Sequence, residues 1–340
     1  MKDFTKEISR KEMASFLIPI LCMKLFEQIS GITNTAVMSR LLSPQMMVCI
    51  SACRVYPMIQ NNLIGSIATG FGIYVTRFIG QRKPDRLREA VSDALFCAGL
   101  LAIAGSGLLF AVKPLLLAAS IPADIYGEAY IYLFWLFAGS GALVFQNLFL
   151  SLLYGLGESA FAGSVSTAGV FLQPFLTYFF TCQSQMAIAA VPAAILANRL
   201  LLTAAMLCYL LRRYRWLFGR HRYLKDLAAV WKKLWGCGFS MAAMLIMVWC
   251  GTFMIQRKAN QMPSVYISAY MYAILVEDLF LAPVYACRQA ASAILAQNAG
   301  AGRTGLVWKY YWRLNRLSWL FCAVLIGTIY AGAAACGVSI

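Results

Sequence analysis

The sequence predicts an all-α polytopic membrane protein with about nine transmembrane helices. Three observations carry this reading. Hydrophobic residues make up 61% of the 340 residues and charged residues 12%, with a mean hydropathy of +0.70. That leaves too little polar surface to cover a soluble core. The apolar residues also fall into continuous runs of helix-spanning length, and residues 159–198 carry no charge at all. Finally, the 29 Lys and Arg residues cluster in short stretches between those runs. Continuous runs exclude a membrane β-barrel, whose strands alternate apolar and polar positions. The composition likewise excludes collagen, intrinsic disorder and a disulfide-stapled scaffold. Clustered bases signal membrane orientation, not a nucleic-acid partner, even at a net charge of +16.

A hydrocarbon core of about 30 Å needs roughly 20 apolar residues per helix. The runs give helices at about 13–39 (interrupted by Lys24 and Glu27), 46–76, 92–112, 126–154, 160–182, 186–211, 236–256, 264–297 and 317–338. Gln183-Ser184-Gln185 separates the fifth from the sixth. Counted by side, 21 Lys and Arg residues lie at the N-terminus and in the even-to-odd connections, against four on the other side, Arg40, Lys113, Arg257 and Lys258. The positive-inside rule then places the N-terminus in the cytoplasm and Ile340 outside. The membrane expected is the plasma membrane, or the inner membrane of a Gram-negative cell. The first run lacks a small-residue cleavage site and reads as a retained helix. Residues 212–233, with eight Lys and Arg, form a basic cytoplasmic connection. It divides an N-terminal six-helix lobe, 1–211, from a partial three-helix C-terminal lobe, 234–340. Its Arg, Lys, Trp and Tyr content suits a helix lying on an anionic membrane face, and equally a solvated linker.

Eleven cysteines are present, but six of them (Cys22, Cys97, Cys208, Cys250, Cys287 and Cys322) lie inside apolar runs and none forms a CxxC pair. They read as small hydrophobic thiols. There is no HExxH, no P-loop and no Ser/His/Asp set, and the single histidine, His221, sits in the basic connection. An enzyme is therefore not expected, and no metal centre or cofactor either.

A shift of 220 residues aligns Gly80-Gln81-Arg82-Lys83 with Gly300-Ala301-Gly302-Arg303. Each segment closes a long even-numbered helix and enters a basic stretch before the next one. Six helices separate the copies, so both have the same orientation. Parallel repeats about an axis along the membrane normal are a transporter architecture, with the substrate handled between the halves.

The residues from Gly70-Phe71-Gly72 through Arg77-Phe78-Ile79-Gly80-Gln81-Arg82 resemble the Gly-rich second helix and exit turn of the multidrug and toxic compound extrusion (MATE) transporters. Ala296-Gln297-Asn298-Ala299-Gly300-Ala301-Gly302-Arg303 is similar to the matching C-lobe signature. The stretch from Leu152 ending in Tyr154-Gly155-Leu156-Gly157-Glu158-Ser159 resembles the family's fourth-helix exit. The resemblance covers essentially the whole chain. It implies two six-helix lobes, alternating access and export of amphipathic organic compounds against inward H+ or Na+ flow. Against that pattern three helices are missing from the second lobe, so the 340 residues read as an incomplete transporter. Asn34 stands where many members carry a first-helix acid, and Gln173-Pro174 replaces an Asn-containing stretch of the fifth helix. A flippase for an anionic or lipid-linked saccharide substrate is the alternative, and a non-transporting remnant a third reading.

Charged groups inside a membrane are costly and face a cavity or a partner. Glu27, Glu277 and Asp278 are the coupling-ion candidates. Lys24, Glu27, Gly31 and Asn34 share one helical stripe, and Lys24–Glu27 is either a static i,i+3 pair or a pair that opens to let Glu27 take up a proton. Glu277 and Asp278 point about 100° apart, so one of them faces any single cavity. Substrate-cavity candidates are Lys24, Asn34, Gln60, Asn61, Gln146, Asn147, Arg199 and Tyr270; the amides serve equally well as bonds from helix to helix. Gly65, Thr69 and Gly72 form a small-residue packing face. Pro57, Pro174 and Pro192 free backbone carbonyls. Lys24, Arg54, Arg199 and Arg288 offset the three acids, which would suit an anionic substrate. The partners expected are the bilayer and a small organic molecule.

Overall fold

The computed structural model describes residues 10–81, 84–183, 187–218 and 227–335, and within them every regular element is a helix. Lys2, Lys6, Arg82, Lys83, Ser184, Gln185, His221 and residues 336–340, which entered the charge count, the repeat and the loop assignments above, lie outside the described residues. In chain order the helices are α1 (Arg10–Leu41), α2 (Pro44–Cys53), α3 (Val55–Gln81), α4 (Pro84–Gly107), α5 (Val112–Ala118), α6 (Tyr126–Ala138), α7 (Ser140–Gly155), α8 (Ser159–Gln183), α9 (Ala190–Arg213), α10 (Leu227–Ala259), α11 (Ser264–Gly300) and α12 (Thr304–Ala335).

These twelve combine into nine rods among the described residues, because α2–α3, α4–α5 and α6–α7 are broken spans. Six rods, Lys11–Leu41, Pro44–Gly80, Pro84–Ala118, Ser159–Gln183, Ala190–Arg213 and Ser264–Gly300, are long and apolar enough to cross a membrane. Taken as one span, the α6–α7 pair, bent by 43° at Gly139, brings the number to seven. The chain is a multi-pass membrane protein. Helices α4, α10 and α12 start well before their apolar runs, at Pro84, Leu227 and Thr304 instead of near 92, 236 and 317. The apolar window marks only the part of a helix that sits in hydrocarbon, whereas the backbone ladder continues through polar turns beyond it. Lys309, Arg313 and Arg316 are consequently helical residues of α12, not loop residues, and the basic connection ends earlier than residue 233.

Local chemistry explains the breaks. Ser43 caps α2, its hydroxyl accepting from the Met46 N–H at 3.3 Å, and Pro44 occupies the first turn. Pro57 has no N–H for the Cys53 carbonyl and crowds it, so the ladder breaks at Arg54. Pro174 frees the Val170 carbonyl in the same way, and the Ser30 hydroxyl of α1 donates to it at 2.5 Å. At the Gly139 bend the Leu136 carbonyl receives the Gln60 side-chain amide at 3.1 Å, while Ser140 donates to Phe137 O at 2.6 Å.

The 220-residue shift is a property of the fold. Residues 44–81 (α2–α3) shifted by 220 cover 264–301, matching α11, and Pro84, the start of α4, falls on Thr304, the start of α12. The packing repeats as well: α3 packs on α10 as α11 packs on α1, and α3 on α4 as α11 on α12. At the Gly80/Gly300 end the contact is reciprocal. A Cβ at Gly80 would overlap the Gln297 carbonyl oxygen, and a Cβ at Gly300 would overlap the Arg77 carbonyl oxygen. Residues 77 and 297 are related by the same shift, so the two contacts are one contact seen twice about a pseudo-twofold axis. At the other end Ser51 donates to the Met271 sulfur, its own repeat mate, at 3.2 Å. Lipid gives helices no hydrophobic reason to associate, so such close small-residue approaches hold them together. Gly70 against Gly238, Gly72 against Ser151 and Gly155 against Thr76 are further examples. The Gly72 contact, with Ser151 donating to Thr69 O at 3.1 Å, bears out the packing face expected there.

Candidate functional site

Two apolar clusters, stacked along the bundle, frame the site. One, toward the Gly80/Gly300 end, gathers Met23, Ile64, Leu143, Leu202 and Ala286 with residues beyond them. The other, toward the Ser43/Pro263 end, gathers Met38, Tyr56, Phe137, Val191 and Met271. The rods that enter both clusters each cross a stretch belonging to neither. These gaps hold Lys24, Glu27 and Asn34 on α1, Gln60-Asn61-Asn62 on α3, Ser140 on α7, Asn198-Arg199 on α9, and Glu277, Asp278 and Tyr285 on α11. The mid-span charges and amides form one polar layer between two apolar plugs.

Within the layer the expected acids meet bases. Lys24 Nζ lies 2.6 Å from Glu27 Oε2, an i,i+3 pair with side chains 21% and 50% exposed. Arg54 Nη2 lies 3.5 Å from Asp278 Oδ2, and Arg54 Nη1 donates to the Met271 carbonyl at 3.0 Å. Arg54 sits at the Pro57 break, so its side chain ties the α2–α3 corner to α11. Asp278 is also within electrostatic reach of Glu277 and Glu27 and bonds the Tyr285 hydroxyl, over whose ring Arg288 lies at 5.8 Å. Tyr270 lies near both Arg54 and Glu277. Of the adjacent acids, Asp278 is partly buried and paired, while Glu277 is exposed. Lys24, Glu27, Tyr270, Glu277 and Asp278 thus converge where α1 meets α11.

The remaining candidates lie apart from that group. Arg199 Nη2 donates to Asn61 Oδ1 at 2.9 Å and lies within electrostatic reach of Tyr132. Gln60 is buried and its donor is engaged at the Gly139 bend, where it also reaches Ser140 Oγ at 2.8 Å. Asn147 donates to its own Leu143 carbonyl at 2.9 Å and packs on Gly65. Asn34 leaves a buried Oδ1 without a partner, and Gln146 is half-buried on α7. Gln60 and Asn147 act as bonds and packing within the bundle.

Sequence reasoning identified Arg54 as an embedded base but not its partner. The repeat held the signal, since Arg54 shifted by 220 falls on Ile274, one helical turn from Asp278. It also missed the Gln173–Asn198 contact, in which Asn198 Nδ2 donates to Gln173 Oε1 at 2.9 Å and Gly169 O at 3.1 Å.

Outside the layer, Glu158 in the α7–α8 turn accepts from Tyr214 at 2.6 Å and Tyr209 at 3.1 Å, with Arg213 Nη2 at 3.6 Å. Burial alone would raise its carboxyl, but the two hydroxyls and the guanidinium outweigh it and hold the group below the usual range. Burial and the same carboxylate push the Tyr214 phenol upward.

Residues 19–179 match the MatE family profile. Solved structures of similar fold include a ligand complex of the MATE multidrug transporter DinF-BH (16% identity, 100% of this chain and 78% of that one, TM-score 0.81). An outward-facing MATE family transporter of the MOP superfamily is similar at 15% identity, over 96% and 73% of the two chains, with a TM-score of 0.83. A MOP superfamily transporter from Pyrococcus furiosus, described as having a binding pocket of reverse polarity, is similar at 16% identity over 97% and 74%, with a TM-score of 0.84. No curated protein matches the sequence. The fold is that of the polytopic transporters built from a parallel repeat. The matched MatE segment runs from α1 through most of α8, and the chain as a whole shares the fold of the MATE transporter structures.

Proposed function

We propose that this protein is a secondary active exporter of amphipathic organic compounds, coupled to inward H+ or Na+ flow. The observation that carries the reading is the polar layer held mid-span between two apolar plugs and crossed by a pseudo-twofold repeat. A site at the midplane between repeats is where alternating access handles cargo. Glu27 and Asp278 are the coupling groups. Each is paired with a base, Lys24 or Arg54, so protonation or cation binding at the carboxylate competes with the ion pair. Opening Arg54–Asp278 would release the α2–α3 corner from α11, which links the coupling event to movement of one repeat against the other. The six-helix and three-helix units, 1–211 and 234–340, are the bodies that would move. In this reading the basic ends face the cytoplasm, and the membrane is the plasma membrane.

Expression in an efflux-deficient host tests this. The protein should lower accumulation of a lipophilic dye, and an uncoupler or sodium removal should abolish the effect. Accumulation unchanged by expression, or by collapsing both gradients, would refute the reading.

A further inference from the structure

The embedded charges do not balance locally. Lys24 has Glu27 and Arg54 has Asp278. Arg288 is exposed and lies over Tyr285. Arg199, half-buried on α9 in the middle of the polar layer, has no carboxylate within 4.0 Å among the described residues. Among the described residues its guanidinium makes one hydrogen bond, to the neutral Asn61 amide oxygen, and the buried Tyr132 lies within electrostatic reach of both Arg199 and Arg54. Both guanidiniums lie within electrostatic reach of the Tyr132 phenol, and Asp278 is committed to Arg54.

A guanidinium carries five N–H donors in a planar fork. Holding it mid-span with one neutral acceptor costs free energy that a counter-ion would offset. Asn61 is exposed and Arg199 half-buried, so the pair borders accessible surface of the layer.

We infer that Arg199, with Asn61 and Tyr132, binds an anionic oxygen group, a carboxylate, sulfonate or phosphate, on an amphipathic molecule. The fork takes two oxygens of the anion, the Asn61 side-chain amide is free to donate to a third, and Tyr132 forms the wall behind them. The inference rests on the exporter reading for its cargo but not for its chemistry, because binding is measurable without transport.

Two xanthene dyes of opposite charge, anionic fluorescein and a cationic rhodamine ester, separate charge from shape. Binding is followed by fluorescence anisotropy with the full chain in phosphatidylcholine nanodiscs, after subtraction of empty discs. Fluorescein should bind more tightly than the rhodamine ester. Arg199→Gln should weaken fluorescein by about tenfold or more, the value of one charge-assisted contact, and leave the rhodamine ester within about twofold. Arg199→Lys should recover part of the loss, which a merely misfolded variant would not. Nanodiscs doped with phosphatidylglycerol distinguish the sources of the anion. Arg199-dependent displacement of fluorescein identifies a lipid headgroup as the ligand, and undiminished binding identifies a free organic anion. Equal affinity for the two dyes, or equal losses of both in Arg199→Gln, overturns the inference. Arg199-dependent fluorescein binding without dye export would sink the exporter reading alone, and export without such binding would sink the anion site alone.

Discussion

The ends of the repeat and its middle follow opposite rules. At the Gly80/Gly300 end the repeat is kept in sequence and contact, glycine against glycine, each packed on the other copy's backbone. In the middle the copies diverge wherever a charge appears. Glu27 falls on Met247, Lys24 on Met244, Asn34 on Met254, Arg54 on Ile274 and Arg199's partner Asn61 on Leu281; in the other direction Asp278 falls on Met58 and Glu277 on Pro57. The scaffold is symmetric and the chemistry is not. Packing about an axis needs the same small residues twice, because each contact is made twice. A coupling or binding group needs one copy with a defined partner, and a second charge across the axis would add a further desolvation cost.

The largest effect should come from breaking the symmetric end. Gly80→Val and Gly300→Val each force a side chain onto a carbonyl oxygen, at a cost near the upper end of the range of about 1–3 kcal/mol typical of overpacking. Thermal unfolding should show similar losses for the two, since the contacts are reciprocal. Gly99→Ala, where a Cβ meets nothing within 4 Å inside α4, should cost nothing and gain up to about 1 kcal/mol. Unequal losses would break the pseudo-twofold account.

Next comes the asymmetric pair. Arg54→Gln or Asp278→Asn alone leaves a partly buried charge without its partner, and should cost more stability than the double variant. Removing one member of a fully buried pair costs about 3–5 kcal/mol, and the partial exposure here, 15% and 24%, lowers that. Arg54→Ile with Asp278→Met, which gives each position its repeat mate's apolar character, should fold well and lose coupling. A thermal-shift double-mutant cycle reads the first outcome and a transport assay the second.

A smaller stability effect is expected at Glu27, whose pair with Lys24 is half-exposed and worth under about 1 kcal/mol. Glu27→Gln should unfold near the wild-type temperature while flattening the pH dependence of transport. A large loss of stability with normal pH dependence would make the pair structural.

The smallest effect is predicted at Glu158, outside the layer. Its carboxyl is held below the ordinary Glu range, so its stabilising contribution is fully present above that range. The contribution is lost as pH falls through the lower, folded value. Tyr214→Phe should bring the folded value back toward the ordinary one and shrink that acid-side dependence, read as unfolding temperature against pH.

Much of this was legible in the sequence, and the failures have physical causes. The spans, the repeat and the glycine signatures follow from hydrocarbon thickness and from close backbone approach, which constrain residue type directly. Helix starts did not, because hydropathy reports solvent and not the hydrogen-bond ladder, as α12 shows. The Arg54–Asp278 pair depends on a fold contact across 224 residues, and only the repeat hinted at it. Gln60 shows the converse, a mid-span amide that reads as a ligand in sequence and serves the broken α6–α7 ladder in the structure.

The most direct test of the mid-span account uses purified full chain in proteoliposomes, with dye flux driven by an imposed pH or sodium gradient. Wild-type protein should move dye in proportion to the gradient. The Glu27→Gln, Glu277→Gln, Asp278→Asn triple variant, folded by its unfolding temperature, should move dye without regard to the gradient or not at all. Gradient-coupled flux with unchanged pH dependence in the triple variant would contradict the account and place the coupling elsewhere in the chain.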